Sequence, residues 1–360
     1  LWSPAEQQRR PGFDPPALQE ADPAPLVLQL AQWGAGLGEN LPWLDPPPQA
    51  NLLEGQELLR QLEALDSQNH LSEHGRQMAA LGVHPRLAHL LLRAQQLQAS
   101  RLGCALATLL SERDPLRADQ AGCDLMRRLD WLEQSGRDPR RQQLQQLQRQ
   151  LLQQLGSQGG DAISGAQTAA VAAELVAHAY PERVALLRPG SRDRYLTRSG
   201  RGAQLHPSDP LLGAEALAIA AADGGGSDCR IQLALPLSAS SLTALAVEAG
   251  GEEHLVQWDR QEQRVRSERA LRLGALVLER RPWPEAPPEL LLEAMLEGVV
   301  DLGLEALPWS AASRQLQQRL QLAHQHLGAP WPDRRDSTLA AEPRQWLAEQ
   351  LEGVRSRSDL

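Results

Sequence analysis

The chain has 360 residues, of which 36 are basic and 45 acidic, so its formal net charge is −9. All 36 basic residues are arginine, because the sequence contains no lysine. This excludes chemistry that needs a lysine amine, such as Schiff-base catalysis, and it excludes the phosphate-binding lysine of a P-loop. Apolar residues reach 42% but aromatic residues only 3%, so leucine and alanine must fill the cores, which favours helices. The length predicts two or three domains.

The cysteine pattern predicts a reducing, cytoplasmic environment. Cys104, Cys123 and Cys229 are isolated from one another, so they indicate neither a disulfide framework nor a zinc knuckle. No run of 18 apolar residues occurs, and we therefore predict no membrane span. The first residues have neither an initiator methionine nor a signal-peptide pattern, as expected for a chain that starts inside a domain.

The first half of the sequence predicts helices. Ten of the 26 prolines lie in residues 1–48, so only one short helix, at about Ala24–Trp33, is expected there. Farther along, Ser72 is a predicted N-cap of a helix that ends near Leu81, and Pro85 suits the first turn of the next helix. Three short helices of this size resemble a helix-turn-helix or winged-helix unit. Helical spacing then continues to Ala179.

Beyond Pro181 the apolar spacing falls to two, which is typical of strands. About seven short segments of strand length lie between Val184 and Leu278, separated by glycine-rich turns. This number of short strands predicts a small barrel of the oligonucleotide-binding (OB) type. From Pro287 helical spacing returns and continues to the last residues.

The sequence offers little support for a metal site or a catalytic nucleophile. His70 and His74 are four residues apart, but Leu71 follows the first of them where a zinc protease has glutamate, and no third ligand is close. No G-x-S-x-G motif occurs. The glycines of residues 34–38 are interpreted as a plain loop, because no strand precedes them.

Arginine is concentrated in two parts of the predicted β region. Residues 183–201 contain six arginines and one acid, and residues 259–281 contain seven arginines and four acids. Guanidinium groups bind phosphate in a bidentate manner and stack on bases, and alternate strand residues share a face. The alternative is a solvated, salt-bridged edge. The candidate nucleic-acid-binding residues are Arg183, Arg194, Arg198, Arg201, Arg264, Arg266 and Arg269.

Several ordered motifs resemble a known family. Residues 41–48 read LPWLDPPP and residues 71–81 read LSEHGRQMAAL, which is similar to the winged-helix region of DEAH-box (DExH) RNA helicases. Residues 84–91, HPRLAHLL, resemble the start of the helical ratchet domain of that group. Residues 179–184, AYPERV, and residues 302–309, LGLEALPW, are similar to its bacterial HrpB branch.

The resemblance implies a multidomain α+β fold and a domain order. The domains would be the tail of a second RecA-like domain (1–44), a winged-helix-like region (45–84), a helical-bundle or ratchet-like region (85–180), a small OB-like β-barrel domain (181–282) and an incomplete C-terminal helical region (283–360).

The same resemblance implies a role beside a helicase motor. The family's RecA-like motor precedes the part matched here, and its Walker A, D-E-x-H and motif VI sequences do not occur in this chain. We therefore expect no ATPase activity from this chain alone and no cofactor or metal in it, although ATP and Mg²⁺ are implied for the full-length family. The implied partners are single-stranded RNA and the motor domains, in cis or in trans, with no membrane.

A second hypothesis is a protein-interaction module that docks on a separate motor or on another partner. The acidic ends favour it, since residues 1–66 have a net charge of −7 from ten acids and three arginines. An independent enzyme has almost no support in the sequence.

Overall fold

A computed structural model describes residues 3, 16–116, 121–156, 161–224 and 228–360. The chain divides into two compact units, residues 1–242 and residues 243–360. The first unit contains a helical core and a β-barrel core, and the second contains a core of its own. Among the described helices, none combines the length and apolar character that crossing a membrane requires.

The first unit begins with a helical part. Its helices are α1 (Ala17–Glu20), α2 (Ala24–Trp33), α3 (Gln49–Gln61), α4 (Glu73–Ala80), α5 (Pro85–Gln96), α6 (Ser100–Ser111), α7 (Leu125–Glu133), α8 (Pro139–Gln154) and α9 (Gly165–Ala179).

Local sequence signals explain where several of these helices begin. The predicted helix over Ala24–Trp33 is confirmed with the same bounds. The predicted cap is confirmed as well, since the Ser72 hydroxyl accepts a hydrogen bond of 2.8 Å from the backbone N–H of Gly75. α5 has Pro85 in its first turn, where a missing N–H costs nothing. Its leucines join those of α3 in the shared helical core.

The winged-helix and ratchet assignments remain predictions. Residues 45–84, all of which are described, contain α3, α4 and one isolated antiparallel bridge between Leu65 and Leu71. A wing is a pair of strands, and this range has only the single bridge. The two helices therefore fit the winged-helix prediction, whereas the bridge is less than a full wing.

The β-barrel of the first unit has five strands: β1 (Val184–Leu187), β2 (Arg194–Thr197), β3 (Gly202–Gln204), β4 (Ala216–Asp223) and β5 (Asp228–Pro236). Their order around the barrel is β1-β2-β3-β5-β4. All neighbours are antiparallel except β3 and β5, which pair in parallel. The predicted barrel is thus confirmed as a closed one.

Alternate residues of the strands fill the barrel interior. Tyr195, Ala203 and Ile231 are almost completely buried there. The Tyr195 hydroxyl donates a hydrogen bond of 3.0 Å to the carbonyl of Ala214, so the interior tyrosine has a partner for its polar end. Cys123 also joins this core, where burial raises the pKa of its thiol to about 12.

The expectation of one barrel with about seven strands is wrong. The barrel ends with β5, and a helix that the sequence analysis did not predict follows, α10 (Ala239–Glu248). The remaining strands, β6 (Glu252–Asp259), β7 (Arg264–Leu273) and β8 (Leu276–Pro282), form a separate three-stranded sheet in the order β6-β7-β8. They number three rather than two because Gly274 takes a positive φ of 58°, which allows a tight turn inside the segment that was predicted as continuous.

The second unit packs helices against this sheet. A Cβ atom on Gly298 would lie 2.5 Å from the indole of Trp258 on β6, so glycine permits the close approach of α11 (Pro288–Leu302). Met295 and Val299 on α11 are buried in the core of this unit. Its elements after α10 are β6 (Glu252–Asp259), β7 (Arg264–Leu273), β8 (Leu276–Pro282), α11 (Pro288–Leu302), α12 (Ala311–Leu327), α13 (Asp336–Ala341) and α14 (Arg344–Leu347).

Candidate nucleic-acid interface

One row of polar side chains crosses three strands of the barrel. Arg194 on β2 is exposed and lies in register with Gln204 on β3, and Gln204 lies in register with Arg230 on β5. The intervening strand residues Tyr195 and Ala203 point into the core. The two arginines of this row therefore lie on the outside of the barrel, two strand spacings apart.

Asp193 is the acidic residue next to Arg194 in the sequence, and uncharged groups form hydrogen bonds with its carboxylate. The carboxylate of Asp193 accepts hydrogen bonds from the amide of Gln204 (2.7 Å) and from the hydroxyl of Ser191 (3.0 Å). These two hydrogen bonds keep the pKa of Asp193 below its ordinary value. Among the described residues, the guanidinium groups of Arg194 and Arg230 form no ion pair. Arg194 does help to lower the pKa of Asp193, and Asp223 on β4 is the register partner of Arg230. Neither arginine forms an ion pair with these carboxylates, and both side chains are exposed to an outside anion.

The turn between β2 and β3 presents one exposed arginine and withdraws another. The side chain of Arg201 is exposed, and its backbone is fixed by hydrogen bonds to Thr197 on both its N–H and its carbonyl side. Arg198 is half-buried, and burial lowers the pKa of its guanidinium while Glu182 and Glu57 oppose that shift. Arg198 follows β2 on the outside of the barrel, but its guanidinium interacts electrostatically with Glu182 and Glu57 of the same unit.

Arg183 is held by the protein itself. Its guanidinium donates to the carbonyl of Ala220 at 3.0 Å and to the carboxylate of Glu182 at 3.1 Å. It also lies 5.0 Å from the ring centroid of Tyr180. The same carboxylate receives two hydrogen bonds from the buried Arg86, at 2.8 and 3.0 Å. Arg183 thus contributes to the junction between the helical part and the barrel.

Two arginines of the second cluster are neutralised by carboxylates. On β7, Arg264 forms an ion pair with Glu262 at 2.6 Å. Arg266, two residues farther on the same face, pairs with Asp259 at 2.8 Å and also with Glu262. A salt-bridged edge, the alternative weighed from the sequence, describes this face. Both guanidinium groups therefore already have carboxylate partners.

Arg269 lies on the opposite face of the sheet from Arg264 and Arg266, because it is an odd number of residues away. Its guanidinium is 5.3 Å from the ring centroid of Trp283. The ring of His254, the register partner of Arg269 on β6, lies 4.4 Å from that of Trp283. This aromatic and cationic cluster is a second surface on which a base could stack.

Three residues of these surfaces were missed by the sequence analysis: Arg230, His254 and Trp283. The parallel pairing that brings Arg230 beside Gln204 joins strands far apart in sequence, so no local signal could have indicated it. By contrast, the register of the β6–β7 hairpin could have placed His254 opposite Arg269. In the part of the chain that the structure describes, no group of three or more His, Cys, Asp or Glu residues could hold a metal ion.

Comparison with known proteins connects these surfaces to a family. A family model described as the connector region of the ATP-dependent RNA helicase HrpB matches residues 252–283. Over its whole length the chain is 32% identical to ATP-dependent RNA helicase HrpB of Escherichia coli, of which it covers 42%. The crystal structure of the E. coli DExH-box NTPase HrpB matches 99% of the chain with a TM-score of 0.67 and 31% identity, and 42% of that chain is covered. This chain is similar to the C-terminal part of HrpB.

The HrpB-like connector match coincides with a feature of the fold. Residues 252–283 contain the whole three-stranded sheet that is separate from the barrel, together with Trp283. A more limited likeness extends to ATP-dependent RNA helicase HrpA of E. coli, which is 32% identical over 101 residues, or 27% of this chain and 8% of HrpA. The chain spans less than half the length of the HrpB relatives that it matches.

Proposed function

We propose that this chain is the accessory C-terminal region of an HrpB-like ATP-dependent RNA helicase and that it guides single-stranded RNA over the barrel. The surface in question, the barrel arginine face, consists of Arg194, Arg201 and Arg230. The observation that carries the proposal is the row from Arg194 through Gln204 to Arg230, because it exposes two arginines, two strand spacings apart, that form no ion pair among the described residues.

The spacing of the row suits a sugar-phosphate backbone. Neighbouring strands lie about 4.8 Å apart, so the backbone positions of Arg194 and Arg230 are about 10 Å apart. Long arginine side chains can reach two phosphates from these positions, and each planar fork can bind a phosphate in a bidentate manner. Gln204 lies between them. Binding of this kind depends on phosphate charge and carries little sequence information.

The proposal assigns no nucleotide hydrolysis to the chain. A P-loop contacts the β and γ phosphates of ATP through a lysine, and no lysine occurs here. ATP and Mg²⁺ would bind to motor domains. The RNA helicase relatives named above suggest that such domains lie in the same polypeptide.

Binding of a fluorescein-labelled single-stranded RNA at low salt tests the proposal. We expect the R194Q/R230Q variant to bind at least about tenfold more weakly than the unmodified chain, because two charge-assisted phosphate contacts are removed. The matched control is R264Q/R266Q, which removes two arginines that carboxylates already neutralise. Equal affinity of the R194Q/R230Q variant and the unmodified chain would refute the barrel arginine face.

A second candidate function is docking on a partner protein. Trp33 is 71% exposed and Leu44 is 97% exposed in the first unit, so both apolar side chains are accessible to a partner. Pull-down of separately expressed HrpB-type motor domains by the chain, lost in the W33A/L44A variant and without RNA in the complex, would favour this function.

A further inference from the structure

Three histidines from three helices meet inside the helical part of the first unit. They are His74 on α4, His89 on α5 and His178 on α9. Nε2 of His74 and Nδ1 of His89 are 2.8 Å apart, which is a hydrogen bond. The ring centroids of His89 and His178 are 6.1 Å apart. The barrel arginine face and the family likeness leave this cluster without an assigned role.

Charged groups surround the cluster from each element that packs against it. From α5 itself, Arg93 lies 3.4 Å from Nδ1 of His178. Glu63, in the turn after α3, is 3.6 Å from Arg93. Glu174 on α9 is 4.0 Å from Nε2 of His178. The charged group closest to the three rings is thus Arg93, and its carboxylate partner Glu63 is largely exposed. An added proton on His89 would therefore be repelled by the positive charge of Arg93.

The hydrogen bond between the two rings limits how many protons the pair can hold. It needs an N–H on one nitrogen and a lone pair on the other. When both rings are protonated, two N–H groups point at each other across 2.8 Å and two positive charges lie side by side. His89 is also only 1% exposed, so water cannot compensate a charge there.

We propose that His74 and His89 form an acid-sensitive contact that holds α4 against α5 at neutral pH and releases α4 as the pH falls. In the closed form at least one ring of the pair is neutral and accepts the hydrogen bond. In the open form both rings are exposed to water and titrate as ordinary histidines. Acid therefore draws the equilibrium toward the open form.

The direction of the pH effect follows from the environment of the two rings. Burial lowers the pKa of His89 well below its ordinary value of 6.5, and burial also lowers the pKa of His74. Because the folded pKa values are depressed, the open form takes up more protons below pH 6.5, and the contact stabilises the closed form fully only above that value. Between pH 7.5 and 5.5 the opening constant should rise about tenfold for one proton and about a hundredfold for two.

Amide hydrogen exchange of the full chain tests the proposal. Protection factors for residues 73–80 should fall between about tenfold and a hundredfold from pH 7.5 to 5.5, after correction for the intrinsic exchange rate. α7, which has none of the three histidines, supplies the internal reference. In the H74Q variant the glutamine side-chain amide can still donate to His89 but does not titrate. The pH-dependent fall in the protection factors should therefore be about tenfold smaller than in the unmodified chain. The control is H206Q, which changes an exposed histidine of the barrel.

Two results would overturn the proposal. One is a loss of protection in α4 no larger than in α7, and the other is the same pH dependence in H74Q as in the unmodified chain. If H74Q does not fold, ring NMR of the unmodified chain decides the question. We expect the ring signals of His74 and His89 to stay those of neutral imidazole at pH 6. Ordinary titration of both rings at pH 6.5 would contradict the mechanism.

Discussion

The contact of Arg86 with Glu182 should contribute strongly to the stability of the first unit. The guanidinium of Arg86 donates to both carboxylate oxygens of Glu182, at 2.8 and 3.0 Å, and to the carbonyl of Ala179 at 3.0 Å. These bonds join the start of α5 to the end of α9 and the start of the barrel, across 93 and 96 positions of sequence. Arg86 is buried, so its replacement leaves acceptors without a partner.

We expect R86M to lower the free energy of unfolding by about 3 kcal/mol. Loss of one member of a buried ion pair costs roughly 3–5 kcal/mol, and the lower end applies because Arg183 remains 3.1 Å from Glu182. Replacing both partners by apolar residues, in R86M/E182L, should restore at least about half of the loss, since no buried charge is then left unpaired and the partly exposed Arg183 keeps its hydrogen bond to the carbonyl of Ala220.

Urea unfolding followed by far-UV circular dichroism measures this loss, in the transition that belongs to the first unit. The matched control is R194M, which removes an exposed arginine that has no ion pair with any residue the structure describes and should change the free energy of unfolding by less than about 0.5 kcal/mol. A loss below about 1 kcal/mol in R86M, or a double variant less stable than R86M, would refute the reasoning.

Three further predictions concern other parts of the molecule. Gly298→Ala should destabilise the second unit by about 1–3 kcal/mol, because the new methyl would meet the indole of Trp258; an unchanged urea midpoint would contradict this. A hydrogen bond from His84 lowers the pKa of Asp22 from 3.8 to about 2, so its stabilising effect is present above pH 4 and is lost as the pH falls toward 2. H84Q should show a smaller loss in that window when thermal unfolding is recorded at each pH. The thiol of Cys123, whose pKa burial raises to about 12, should react with iodoacetamide at pH 8 far more slowly in the folded chain than in urea, and equal rates would argue against its burial.

Features that depend on neighbouring residues could be predicted from the sequence. The bounds of α2 and the cap at Ser72 follow from proline, serine and leucine spacing within one or two turns. Strand length and the alternation around Tyr195 also follow from local pattern, because adjacent strand residues point to opposite sides. The existence of a barrel was predictable for the same reason.

Features that depend on pairing between distant segments could not be predicted in this way. α10 was not predicted because its residues, ASSLTALAVE, are small and apolar without a clear polar face. The parallel register of β3 with β5, which brings Arg230 to the row, joins segments with no shared turn. Sequence charge alone also failed to separate Arg194 from Arg264, since ion pairing depends on which carboxylate the fold brings within reach.

The salt dependence of RNA binding tests the central claim most directly. If the barrel arginine face contacts about three phosphates, the logarithm of the association constant should fall with a slope of about −2 against the logarithm of salt concentration. Affinity for a single-stranded RNA should then drop about 20-fold between 50 and 200 mM salt. In R194Q/R230Q the slope should flatten to about −0.7, while R264Q/R266Q keeps the slope of the unmodified chain. A slope near zero, or an equal slope in R194Q/R230Q, would contradict the account.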